Sequence, residues 1–435
     1  MESGYHQAAM RFGHGHRLGD PLPDDVLAWL DAQTRGPGAP LAPPEGRDMQ
    51  LDLAEGFAAW RAHELSPPGP GQIGQATQLF RREQRSWVQH LVTSQEPFRD
   101  RLTTFWLNHF TVAERAGYGV SSIMGVFLRE SIRPHVGGRF ADMLLAAARM
   151  PAMLDYLDQI ASVGPNSPFG RRTGRGLNEN LAREILELHT LSPAGGYRQE
   201  DVTQFALVMT GWGVERLNPP LGRVFRQDRH EPGEKRLLGR RFAEGPEAFE
   251  AALHLLADHP ATHRHLARRL VRHFIADEPP PHCVAAIEDV LRDTQGDLGA
   301  ATRALIRLPE AWTPPLGKLR TPHDYVLALH RAAGGTNPTP IQDGMTWLGQ
   351  PLWNAPQPNG WSDLAEAWAG PEQVMQRLDL CFGAAGHYGR RDPLLVLETA
   401  LGPLARPETR TAARRAGSQR DALSLVFACP EMQRR

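Results

Sequence analysis

Three cysteines in 435 residues, Cys283, Cys381 and Cys429, are too few and too scattered for a disulfide framework or a metal-ligand spacing. Charge of one sign is also missing. The 48 Lys and Arg against 49 Asp and Glu leave a net charge of −1, which argues against a dedicated nucleic-acid or anionic-membrane binder. No apolar run reaches the ~18 residues of a membrane span. The opening MESGYHQAAMRFGHGHRLGD holds no apolar signal-peptide core. As written, the sequence reads as cytoplasmic, or as periplasmic or exported if its start is trimmed. Internal repeats, a GK[ST]-ended phosphate loop and the H-E-x-x-H spacing of zinc proteases are absent too.

Glycine and proline are plentiful, at 42 and 37, and the hydrophobic share of 41% is enough for a sizeable core. Together with 3.6-residue apolar periodicity they predict an all-α fold, a large multi-helix, bundle-like array with long Gly/Pro-rich loops. Alternating residues among Gly, Pro and Arg leave room for a small β-hairpin near 214–242. Residues 1–46 read as an N-terminal arm and linker, flexible or draped on the surface. They carry His6, His14 and His16, one helix over Asp24–Thr34 and the linker GPGAPLAPPEG. Residues 47–435, starting with a helix over Asp48–Leu65, read as a single helical domain with a candidate sub-boundary near 214–245.

The densest chemistry lies in Gly174–His189, GRGLNENLAREILELH. As one helix it puts Leu177, Leu181, Ile185 and Leu188 on an apolar stripe, and Asn180, Arg183, Glu184 and Glu187 on a neighbouring arc. Glu184 falls at the border of the stripe, where partial desolvation raises a carboxylate pKa or calls for a cation. The bland alternative is an amphipathic helix with solvated ion pairs, closed by His189 near the negative end of its dipole. The preceding loop, SVGPNSPFGRRTGRG, delivers Arg171, Arg172 and Arg175 to the helix start. These are ingredients of an anion site, or of a solvated basic loop that offsets the acidic helix.

Other polar residues sit in apolar settings. Asn108 and His109 are flanked by Phe105, Trp106 and Phe110; His135 follows a proline-stopped helix; Trp212 closes another. His230 with Glu231 reads as a turn with an exposed histidine. The helix Ala261–Ala276 carries His263, His265 and His273 as part of a charge-rich surface. Trp353 and Trp361 stand on the rigid stretch GQPLWNAPQPNGWSD, where they wall a pocket, stack on sugars or cover the core.

The segments RLTTFWLNHF, RESIRPHVGGRFADMLLAAARMPAMLDYLD, GLNENLAREILELHTL, HEPG, HLARRLVRHFIAD, KLRTP, GQPLWNAPQPNGW and CPEMQRR resemble a bacterial family, domain of unknown function 1800 (DUF1800). The resemblance implies an all-helical, usually exported protein, often encoded beside a sulfatase-like partner. The chain lacks the export signal common in that family and has a Gly/Arg-rich insert before NEN.

Two functional expectations follow. In the first, an enzyme holds one divalent metal (Zn, Fe, Cu or Mn) on a pool of His109, His135, Glu184, His189 and His230. Glu187, held by Arg183, is either a group that supports the ligands or a general base, with Glu184, Arg183 and Asn180 counted with it as catalytic. Metal-assisted hydrolysis and redox chemistry are both open, and Trp106, Trp212 and Trp361 wall the pocket. A metal-free variant uses Glu184 and Glu187 as acid and base. In the second, a non-catalytic binding or assembly protein uses the polar clusters as a packing network and its tryptophan loops to contact a glycan or a protein.

Overall fold

The computed structural model describes residues 2–43, 45–47, 49–313 and 316–435. Helix makes up 59% of it, so the fold is all-α apart from two small hairpins. Strand β1 (Trp212–Glu215) pairs antiparallel with β2 (Gly222–Phe225), Trp212 opposite Phe225. Strand β3 (Lys235–Leu237) pairs with β4 (Arg240–Phe242). Among the described residues no helix is long and apolar enough to cross a membrane.

Six helices position the chemistry: α1 (Glu2–Arg11), α2 (Pro97–His109), α3 (Asn180–Glu184), α4 (Pro260–Phe274), α5 (Pro281–Asp293) and α6 (Pro322–Ala332). Four of them begin at proline, which has no N–H to orphan in the first turn and a φ already set for helix. Many of the abundant prolines therefore mark helix starts as well as loops. One connected cluster of buried apolar side chains extends from Ala8 to Met432.

The expectation of a surface arm at the N-terminus is corrected. Tyr5, Ala8, Ala9 and Phe12 recur at helical spacing and are no more than 5% exposed, so α1 is a core helix. His6, His14 and His16 are buried with it. Arg11 donates to the carbonyls of Phe274 and Ile275 at 3.2 and 3.1 Å, satisfying the C-terminal end of α4. Further along, Val26–Ala32 is capped by Asp25. Leu53–Leu65 starts in a capping box of Asp52 and Glu55; its expected start at Asp48 lies outside the described residues. Buried Arg331 repeats the Arg11 device, donating to the carbonyls of Leu91, Val92 and Ser94 at the end of the helix Gln75–Thr93.

Gly174–His189 is not one helix. Loop and turn run to Glu179, α3 follows, and Ile185–His189 is a π-helical turn. A second π-helical turn spans Phe127–Ile132. The wider i→i+5 turn is rare and recurs at functional sites.

Candidate functional site

The residues singled out in the sequence divide among several places. Glu179 stands at the start of α3, 3.0 Å from Arg183, and accepts from Gln199 at 2.8 Å and Thr203 at 2.6 Å. Its carboxylate makes no hydrogen bond to the helix-start amides. Arg171, Arg172 and Arg175 are exposed on the short helix Pro168–Thr173 and the turn after it. The amide of Asn180 is held by Asn178 at 2.9 Å. Glu184 and Glu187 are half-buried side by side and accept no hydrogen bond from any described residue. Burial and the Glu187 charge raise the Glu184 pKa against the pull of Arg183.

Two of the expected metal ligands do meet. His109 Nε2 donates to the His189 carbonyl at 3.0 Å, and their ring centroids are 5.9 Å apart. His265 from α4 joins them, its ring 6.1 Å from His109 and its Nε2 3.1 Å from the Leu188 carbonyl. Burial, reinforced by Arg269, keeps these imidazoles neutral, holding His189 down to about 3 and His265 to about 4.

The rest of the pool is elsewhere, which corrects the expected ligand set. His230 is 2% exposed, not on an open turn. Its Nδ1 donates to the Thr210 carbonyl at 2.7 Å and its Nε2 accepts from the Gly245 amide at 3.2 Å, so both nitrogens are used structurally. His135 sits half-buried on the turn Arg133–His135. Among the described residues the group of three His, Cys, Asp or Glu donors within 4.8 Å of one another is His282, Cys283 and Glu310, none of them in the pool.

The aromatic wall is corrected likewise. Trp106 is buried against His109, 5.2 Å between ring centroids. Trp212 packs on Phe225 at 5.0 Å beneath the Arg223 guanidinium at 4.3 Å. Trp361 does line a pocket.

That pocket, a cavity of about 80 Å³, lies between α2, the start of α6 and the 349–363 loop. Phe105, Asn108 and Thr111 form one side, Phe127 of the second π-helical turn another, and Trp353, Trp361 and Asp363 the loop side; Thr321, His323 and Asp324 line the rest. Asn108 clamps the loop, donating to the Trp361 carbonyl at 2.9 Å and accepting from the Trp361 amide at 2.7 Å. Gly360, at φ +76, is required there: a Cβ would stand 2.5 Å from the Asn108 carbonyl oxygen. Trp353 adopts φ +57, an outlier for a bulky residue that costs of order 1–3 kcal/mol and clusters at functional sites.

The wall carries an oriented imidazole. His273, from the last turn of α4, donates through Nδ1 to Asp363 Oδ1 at 2.6 Å. That bond fixes the tautomer and leaves a lone pair on Nε2, which is buried and unpartnered. Burial, with Arg435 and Arg101 nearby, brings His273 down to about 4 despite Asp363. Burial would push Asp363 up, but His273, Arg269 and Lys318 outweigh it and keep the carboxylate ionised. Asp324 is ionised for the same reason, with Arg101 bonded to it, Arg435 Nε 3.3 Å away and His14 Nδ1 3.8 Å away. His265, Arg269 and His273 recur at i, i+4, i+8 on α4. His265 and His273 are thus half-buried and buried respectively, not part of an open charged surface, and Arg269 lies over the Phe105 ring at 5.9 Å.

A family model described as a protein of unknown function, DUF1800, matches residues 7–434. No curated protein and no solved structure matches the chain.

Proposed function

We propose a function from the premise that this chain belongs to the DUF1800 family: it is an enzyme whose substrate sits in the aromatic-walled pocket, with His273 as general base. The single observation behind this reading is the His273–Asp363 pair on the pocket lining, with one histidine nitrogen held at 2.6 Å and the other buried without a partner. A base oriented by a carboxylate is the arrangement that proton abstraction from a water or a substrate hydroxyl needs. Asp363 then stabilises the imidazolium that forms. The reaction class that fits is hydrolysis by a deprotonated water. The five ligands expected for a Zn, Fe, Cu or Mn ion do not converge here, so no step runs through them.

The lining also indicates the substrate. Phe105, Trp353 and Trp361 offer aromatic faces, and Thr111, Thr321, His323 and Gln350 offer uncharged polar groups. Asp324 is already committed to arginines. A small, uncharged, hydroxylated molecule matches this set. A two-carboxylate glycosidase scheme does not, because it needs one protonated carboxyl and both pocket aspartates are held ionised.

A thermal-shift screen of small hydroxylated compounds, followed by turnover assays on each hit, tests the reading. His273→Gln should lower turnover by about 10²–10⁴-fold while the ligand still shifts the melting temperature. Asp363→Asn should lower it too, and change the pH profile. Hits that bind equally well to both variants and are never turned over would sink the enzyme. They would favour the second reading, a binding protein that stacks a glycan on Trp353 and Trp361.

A further inference from the structure

Away from the pocket, His282 and Cys283 in the first turn of α5 face Glu310 on the turn Pro309–Ala311. His282 Nε2 is 2.6 Å from Glu310 Oε1 and 3.4 Å from Cys283 Sγ. The three donor atoms lie within 4.8 Å of one another. Both contacts use the same imidazole nitrogen. In a thiol–imidazole–carboxylate relay the carboxylate holds one ring nitrogen and the thiol faces the other, so this is not a relay. One Nε2 carries at most one proton and satisfies at most one of the two neighbours. Three metal-ligating atoms gathered this closely instead suit a cation between them. Glu310 Oε2 is in addition buried with no conventional hydrogen bond, and the Cys283 thiol lies within reach of the Glu310 carboxylate.

We propose that His282, Cys283 and Glu310 are the protein ligands of a divalent transition-metal site of the zinc type. A thiolate, an imidazole and a carboxylate are the sulfur, nitrogen and oxygen donors that Zn²⁺ accepts, and three protein ligands leave a fourth position for water. Access exists, because the His282 side chain is 68% exposed while the residue Cys283 is fully buried behind it. Binding exchanges the Cys283 thiol proton for the metal: the S–H bond breaks, the S–metal bond forms and the proton goes to solvent.

The test is titration of the full chain with Zn²⁺ alone and with Co²⁺ alone. The expected result is one equivalent bound, with a thiolate-to-cobalt charge-transfer absorption and protection of Cys283 from alkylation. Cys283→Ser should abolish the absorption. It and Glu310→Gln should each weaken Zn²⁺ binding at least about tenfold. Glu310 is partly exposed, so its variant keeps the test valid if the buried cysteine variant folds poorly. Absence of stoichiometric binding would overturn the site. So would unchanged affinity in Cys283→Ser and Glu310→Gln, which would assign the ion to other histidines.

Discussion

Asn108 holds Trp361 by both of its backbone polar groups, at 2.9 and 2.7 Å, across 253 residues of sequence. The amide side chain does for this loop what a neighbouring strand would do, and it leaves Trp361 on the pocket wall. Asn108→Ala removes both partners at once and should destabilise the protein by about 1–3 kcal/mol. The 349–363 loop should lose hydrogen-exchange protection before the rest of the fold does. Gly360→Ala should reproduce the same local loosening, because its Cβ would press on the Asn108 carbonyl. Protection unchanged in both variants would refute the clamp.

Asp324 is the counter-ion of a buried cationic cluster, with Arg101 and Arg435 against it and Arg320 close by. Asp324→Asn leaves those guanidiniums uncompensated in the interior, and the expected loss is about 3–5 kcal/mol. Replacing Arg101 with Met in the same chain should recover part of it, since removing a buried ion pair together is gentler than removing half. Urea denaturation of the single and double variants measures both; equal losses in the two would refute the pairing.

Glu184 behaves in the opposite sense. Its pKa is raised by burial and by Glu187, so the folded state holds its proton more tightly than the unfolded state does. Stability then falls as pH rises from the ordinary carboxyl value of 4.5 through the folded value. At neutral pH the charge is a liability, and Glu184→Gln should leave the protein as stable or slightly more so. A clear loss of stability at neutral pH would instead mean that Glu184 belongs to a buried charged network.

Periodic features were legible in the sequence and long-range ones were not. The helical class, the hairpin window and the oddity of Asn108 follow from patterns within ten or fifteen residues. The stripe Tyr5, Ala8, Ala9, Phe12 was equally readable and shows α1 to be buried; the general looseness of termini obscured it. On α4, His265, Arg269 and His273 share one face, yet Arg264, Arg268 and Arg272 beside them look like a solvated surface. Only Asp363 reveals the inward role of His273, and it sits on a loop without periodicity, 90 residues away. The π-helical turns were hidden because Ile185–His189 satisfies a 3.6-residue pattern as well as a wider one. His282 with Cys283 is a local pair, but its third donor, Glu310, comes from another element.

The buried histidines set the acid limit of the fold. His189 and His330 are held to about 3, and His265, His273 and His323 to about 4, mainly by burial, against an ordinary 6.5. Each is neutral in the folded state and takes up a proton on unfolding once the pH is below 6.5. The unfolded state therefore binds more protons between pH 6.5 and about 4, and stability rises with pH across that window. Read downward, the contribution is complete above pH 6.5 and is lost as pH falls toward 4. The depressed carboxylates Asp324 and Asp363 add their loss only below the ordinary aspartate value of 3.8. Urea midpoints taken from about pH 7.5 to 4.5 should therefore fall before these aspartates contribute, with a slope of several protons set by the histidines and partly offset near the lower end by raised carboxyls such as Glu184. His265→Gln should reduce that slope by about one proton, or about 1.4 kcal/mol per pH unit. A flat profile down to about pH 4.5 would mean that these imidazoles are already charged inside the protein, and His273 could then not serve as a base.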